Sequence, residues 1–203
     1  MSALVGAALA VALLGGCGFS AGLRNAGPAP SVSVPASPSP LWPGYTPSPG
    51  SGNGYVYIPP VRPPLPGFTL PPGGLKKVSP VALLRADPDV AGQLEKSLRD
   101  CPGSSCPLRP PAYPDLTGDG RPAVVLVVEG HGFAEVYVYV ATSGNSVRQV
   151  LQHSTTGVVD AGTIDHDLVI KSSGNHEEIT RYHWNGKLMV PVPLDSPSAV
   201  RTP

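Results

Sequence analysis

The side chains able to do chemistry in this 203-residue chain are few and scattered. Its histidines are His131, His153, His166, His176 and His183, and most of them fall in or beside expected turns. His166 stands between Asp165 and Asp167, a grouping open to metal or acid–base work, although an exposed turn histidine has the same surroundings. His176-Glu177-Glu178 lacks the second histidine of a helical zinc motif and sits at the start of an expected strand. No serine occupies a G-x-S-x-G elbow, and the glycine-rich stretches lack the strand–loop–helix order of a phosphate cradle. One oxygen-rich run, Asp115-Leu116-Thr117-Gly118-Asp119-Gly120-Arg121-Pro122, stands directly before the first strongly apolar segment. There Asp115 and Asp119 suit Asx-type bonds to the turn backbone, which would set the entry of the strand. Fourteen basic residues balance fourteen acidic ones, so no net field favours nucleic acid or an anionic polymer. The expected chain is not an enzyme, and no nucleic-acid partner is expected.

The N-terminus carries a different chemistry. Ala3 to Leu14 is wholly apolar and runs into Gly15, Gly16 and Cys17. Twelve helical residues cover only about 18 Å, short of a roughly 30 Å hydrocarbon core, so the run reads as a signal-peptide apolar region rather than a membrane span. No Lys or Arg precedes it, which points to a start upstream of Met1 or to an internal Met1. Leu14-Gly15-Gly16-Cys17 resembles the lipobox of bacterial lipoproteins. The resemblance implies a diacylglyceryl thioether on Cys17, cleavage before it, and anchoring on the extracytoplasmic face of the cell membrane. An ordinary secreted protein, cut earlier, is the other reading. With Cys17 given to lipid, Cys101 and Cys106 remain as a pair closing the six-residue loop CPGSSC. A disulfide across so small a loop contributes about 2 kcal/mol. The alternative, redox or zinc chemistry, has a C-x₄-C spacing and no second cysteine pair to support it. No free cysteine is then left as a nucleophile.

The run Asp115 to Pro122 resembles the calcium loops of FG-GAP and VCBS repeats, patterned D-x-[DN]-x-D-G-x-x-D before a valine-rich strand. The resemblance places Asp115, Thr117 and Asp119 at the first, third and fifth ligand positions, with Gly120 at the sixth, and so implies a possible Ca²⁺ site. Ala123 stands at the ninth position and Leu126 at the twelfth, where carboxylates are expected. Two carboxylates and a hydroxyl supply little charge for a hard cation, so the Asx-turn reading is preferred and no cofactor is otherwise expected. The motif occurs once, which excludes a multi-bladed propeller.

These residues need elements to hold them. From Gly18 to Lys77 there are fifteen prolines and almost no charge, a composition that cannot offset the entropy of ordering. The expectation for 17–75 is a lipidated cysteine followed by a disordered, extended tether, which at about 3.1 Å per residue would reach something like 180 Å. Trp42, Tyr45, Tyr55 and Tyr57 interrupt it, as docking points or as chance aromatics. The globular domain is expected over 76–194, one core's worth of chain, with a flexible tail at 195–203. A short turn at Pro80 to Leu84 precedes a helix capped by Asp87 or Asp89, with Val90, Leu94 and Leu98 on one face and an end near Asp100.

From Ala123 the period becomes two. Ala123–Glu129 reads as a strand buried on both faces, followed by Ala134–Ala141 and Val147–Gln152. Short strands follow at Gly157–Asp160 and Thr163–Ile164, then Asp167–Lys171, Glu178–Trp184 and Lys187–Val190. Asn185-Gly186 predicts a type I′ hairpin. The fold class is α+β: a short N-terminal helix, then an antiparallel β-meander of about 6–7 strands.

As a layout, lipobox, Pro/Ser/Gly stalk, short helix, DLTGDG turn and a meander ending in Arg181-Tyr182-His183-Trp184-Asn185-Gly186 are similar to a group of small actinobacterial lipoproteins. The resemblance covers roughly Pro114 to Val190. It implies a non-enzymatic envelope lipoprotein that senses or regulates envelope stress, or serves as a protein-interaction module. Its implied partners are the membrane, through lipid, and an envelope protein such as a sensor kinase ectodomain. The alternative implied by the loop is a calcium-dependent adhesion or ligand-binding module.

Overall fold

Val124, Val125, Leu126, Val127 and Val128 are apolar at every position because both faces of this strand are covered. Alternate side chains of a strand point to opposite faces. Val125 and Val127 enter one core, while Val124, Leu126 and Val128 enter a second.

In the computed structural model, the described residues are 36–45, 60–130, 133–173 and 177–195. Every described residue belongs to one compact unit. Among the described residues that unit is mostly β, with eight strands in two antiparallel sheets and two short α-helices. The central sheet has the order β2 (Val124–Glu129), β3 (Ala134–Ala141), β4 (Val147–Thr155). The outer sheet comprises β1 (Ser39–Pro40), β5 (Val158–Ile164), β6 (Asp167–Ser173), β7 (Glu177–Trp184) and β8 (Met189–Val192), in that order. One core lies between the sheets, built from Val136, Val138, Val140 and Leu151 against Val159, Leu168, Ile170, Tyr182 and Met189. The other lies between the central sheet and the helices α1 (Pro80–Ala86) and α2 (Pro88–Leu94).

The meander therefore divides. Its strands are consecutive along the chain, as expected, but the path leaves the central sheet after Thr155 and enters the outer one at Val158. Gly157, at φ 122, supplies the backbone that this corner requires. The two short strands expected at 157–160 and 163–164 are one strand, paired along its length with β6.

The helical region also differs from expectation. Pro80 opens a full helix, whose first turn is capped by the Ser79 hydroxyl accepting from the Ala82 N–H. Asp87 caps the next, accepting from the Asp89 N–H. That second helix ends at Leu94 rather than near Asp100, and the chain tightens through Arg99 N–H to Lys96 carbonyl and Cys101 N–H to Leu98 carbonyl bonds. Val90, Leu94 and Leu98 are buried together nonetheless, since the turns keep the same face inward.

The largest departure concerns the proline-rich tract. Its described parts are packed onto the sheets, where a disordered tether was expected. Residues 36–45 form a strap whose β1 pairs with β5, with Ser39 opposite Thr163 and Pro40 opposite Gly162. Further along, the Leu65 N–H donates to the Val147 carbonyl and the Leu70 N–H to the Asn145 carbonyl, at the β4 end of the central sheet. Leu65 and Leu75 are buried among the helices. Apolar residues spaced through the prolines provide the burial that composition alone discounts, while proline, lacking an N–H, ends the ladder instead of extending it. Cys17, Tyr55, Tyr57 and the tail beyond Asp195 lie outside the described residues.

The hairpin at Asn185-Gly186 exists with a different turn. Trp184 pairs with Met189, so four residues form the loop. Among the described residues, the non-glycine positions with positive φ are Asn145 and Asp165, not Asn185. The Asn185 side-chain oxygen instead accepts from the N–H groups of Lys187 and Leu188, an Asx-type closure.

Candidate functional site

The Asp115–Arg121 run folds on its own side chains. Gly118 and Gly120 adopt φ of 69 and 78, which turns the backbone N–H groups inward. The Asp115 carboxylate accepts from the Gly118 N–H at 2.8 Å and the Gly120 N–H at 3.0 Å. Asp119 accepts from the Thr117 hydroxyl at 2.7 Å and from the Arg121 N–H at 3.0 Å. Its second oxygen receives the Arg121 guanidinium at 2.8 and 2.6 Å. Partial burial pushes the Asp119 carboxyl up, but the bonds from Arg121 and Thr117 outweigh it and bring it to about 2. The oxygens that the calcium-loop resemblance assigns to a cation are thus engaged in closing the turn. Among the described residues, no group of three or more His, Cys, Asp or Glu side chains is placed to hold a metal ion.

His166 is brought to this turn from the β5–β6 hairpin. Its Nδ1 lies 2.8 Å from the Asp115 carbonyl, and a side chain at Gly118 would meet its ring at 3.3 Å. It fixes the loop against the outer sheet and is not grouped with its sequence neighbours Asp165 and Asp167. Asp167 turns elsewhere: it is almost fully buried, and accepts from the Arg181 Nε at 2.7 Å and lies 2.7 Å from His183 Nδ1. His153, expected beside a turn, is buried in β4. His131 and His176 lie outside the described residues. Cys101 and Cys106 are joined in a disulfide.

A further cluster escaped the sequence reading. Arg109 is almost fully buried, held because its N–H donates to the Val127 carbonyl beside the edge of β2. Its Nε and Nη2 both donate to the Glu129 carboxylate, at the end of the same strand. The strap closes over it. The guanidinium carbon lies 4.2 Å from the Tyr45 ring centre and 5.3 Å from that of Trp42, within the range of cation–π attraction. The Tyr45 hydroxyl donates to Glu129 at 2.8 Å, and the Trp42 indole N–H donates to the Pro110 carbonyl at 2.7 Å. Leu41 donates its N–H to the Ala161 carbonyl and packs with Trp42 against the inter-sheet core. The signal for this site is two aromatics within a proline tract. It carried no partner, because Arg109 lies more than sixty residues away and nothing local links them.

Beside Arg109 runs an open groove of about 810 Å³, lined by Pro80 and Arg85 of α1, by Cys101 and Pro102, and by Leu108 and Pro110. Together these features hold an extended segment of the chain itself. A sheet edge pairs with an extended segment, an aromatic pair stacks on a guanidinium, and a carbonyl receives an indole N–H.

No family model, no curated protein and no solved structure matches this chain.

Proposed function

We propose that this chain is a non-enzymatic lipoprotein of the cell envelope. Lipid on Cys17 anchors it to the extracytoplasmic face of the membrane, and its folded unit is a sensory, regulatory or protein-interaction module facing the cell wall. The distribution of the cysteines carries the reading. Cys101 and Cys106 are bonded to one another, as suits an oxidising compartment. Cys17, the third, directly follows Leu14-Gly15-Gly16 at the end of an apolar run. Two or more acyl chains there would hold the protein stably, each buried methylene contributing about 0.8 kcal/mol. The strap site supports a binding role, since it recognises an extended proline-rich segment through an edge strand and a cation–aromatic stack. A partner of the kind proposed is the ectodomain of a membrane protein such as a sensor kinase. The alternative of a calcium-dependent adhesion module requires a cation to displace Arg121 from Asp119, and no observation favours it.

Intact-mass measurement of the native product tests the anchor. The expected species begins at Cys17, carries fatty-acid mass and remains with the membrane, whereas Cys17→Ser releases it. A native product free in the medium with no acyl mass overturns the reading. Deleting the gene in a strain with a cell-wall-stress reporter tests the regulatory half, and an unchanged reporter counts against it.

A further inference from the structure

We propose that the seat occupied by residues 36–45 is an exchangeable site for an extended proline–aromatic segment, and that a second copy of this chain supplies the segment, giving a strand-swapped dimer. The seat is built for close approach. At Gly162 an added Cβ would lie 2.7 Å from the Ser39 carbonyl oxygen and 2.9 Å from the Pro38 Cβ, so the absence of a side chain on β5 is what admits the strap. Its other contacts are the Ala161 carbonyl on the same strand, the Pro110 carbonyl and Arg109 in the segment before β2, and Glu129 at the end of β2. The strap is thus a ligand carried in cis, fixed by two paired residues, one further backbone bond and two aromatics.

The covalent connection does not dictate whose strap fills the seat. Fourteen residues, 46–59, separate Tyr45 from Pro60, chain enough to span up to about 45 Å. Every copy carries the same segment, so exchange forms no new contact and breaks none once complete, and the reciprocal arrangement closes as a two-fold dimer. The balance between self-seating and exchange then follows local concentration, with self-seating favoured below an effective concentration on the order of millimolar. Confinement of copies to a membrane surface would shift it towards exchange. This inference concerns the folded unit and stands whether or not Cys17 is lipidated.

Ser39 and Thr163 are cross-strand partners, so a disulfide between cysteines at these positions reports whose strap is seated. Two differently tagged full-length chains, one Ser39→Cys and one Thr163→Cys, are mixed from micromolar to millimolar and oxidised mildly. Both carry Cys17→Ser, so that no lipid and no third thiol intervenes. The expected result is a hetero-chain cross-link that rises with concentration and exceeds either homo-chain product at least tenfold. Adding Gly162→Val to the Thr163→Cys chain should lower it at least tenfold. A single chain carrying both cysteines should close on itself at low concentration. Hetero-chain cross-linking no greater than homo-chain at the highest concentration, or insensitive to Gly162→Val, overturns the proposal. So does a doubly substituted chain that fails to close internally, because the seat itself is then absent.

Discussion

His153 and Tyr182 meet across the gap between the two sheets. The Nδ1 of His153, on β4, lies 2.8 Å from the Tyr182 hydroxyl oxygen on β7, with the rings edge to face at 5.9 Å. The other imidazole nitrogen, Nε2, is buried with no hydrogen-bond partner among the described residues. An imidazolium needs acceptors for two N–H groups, and this site offers at most one. Burial accordingly depresses His153 from 6.5 to about 4.

A pH dependence with a defined sign follows. The folded state takes up a proton on His153 less readily than the unfolded chain, so stability from this residue is complete above about 6.5 and falls as pH drops. It levels off below about 4, with a total loss of about 3 kcal/mol. Asp87 and Glu135, both raised by burial, act in the opposite direction, their contributions weakening as pH rises. Denaturant unfolding at pH 4, 5, 6 and 7 separates the effects when the chain is compared with His153→Gln. The advantage of histidine over glutamine should shrink as pH falls, and a pH-independent difference would reject the assignment.

Asp87 joins a helix end to the central sheet. It caps α2 through the Asp89 N–H and accepts the Tyr139 hydroxyl at 2.9 Å while almost fully buried. Asp87→Ala removes the cap and strands a buried phenol, at a cost of about 3 kcal/mol. Asp87→Asn keeps one oxygen as acceptor for the Asp89 N–H and sets an NH2 donor opposite the Tyr139 hydroxyl, which can turn to accept from it, so the variant should cost less than Asp87→Ala, about 1 kcal/mol. Chemical denaturation of both variants checks the ordering. Equal losses would mean that the charge, rather than the pair of hydrogen bonds, matters.

The Asp115 turn should behave as a structural closure. Asp115→Ala leaves the Gly118 and Gly120 N–H groups without their acceptor and should lower stability by about 1–2 kcal/mol, equally with and without calcium. Calorimetric titration of the intact chain with calcium to millimolar concentration should give no binding heat. Removing the competing guanidinium with Arg121→Ala should not create a site, since the loop lacks the carboxylates of the ninth and twelfth positions. A calcium-dependent rise in melting temperature in either protein would restore the cation reading.

How legible the fold was depended on whether its signal was local. The Val124–Val128 run announced a strand covered on both faces, and periodicity placed nearly every later strand within a few residues. The division into two sheets was not legible, because Thr155 to Val158 reads like any other short connection between strands. Nor was the Tyr137–Tyr139 face, whose phenols alternate with valines as surface residues would, yet pack beneath the helices. The strap was hidden for a stronger reason. Leu65 and Leu75, buried, and Leu41, partly buried, are isolated apolar residues in a tract whose average composition forbids a core, and what covers them is supplied by chain far away. The oxygens of Asp115 and Asp119 showed their Asx geometry in spacing alone, whereas Arg109, Glu129 and Asp167 acquire their partners only through tertiary folding.

The Arg109–Glu129 pair permits a prediction that distinguishes charge from packing. Removing the acid by Glu129→Leu leaves a guanidinium that is only 2% exposed without its carboxylate. The cost should be about 2–3 kcal/mol, below the 3–5 kcal/mol of a fully buried pair, because the Glu129 side chain keeps 33% of its surface in water. Arg109→Met removes the charge and the stacking on Tyr45 and Trp42, a loss of about 1–2 kcal/mol, and leaves the carboxylate free to hydrate. In the Arg109→Met background, Glu129→Leu should then cost less than about 1 kcal/mol, so the two effects do not add. Trp42 and Trp184 are the two tryptophans of the chain, and in a Trp184→Phe background the emission of Trp42 should shift to the red in Glu129→Leu as the strap loosens. Additive losses with unchanged emission would mean that the strap is held by its β5 edge alone.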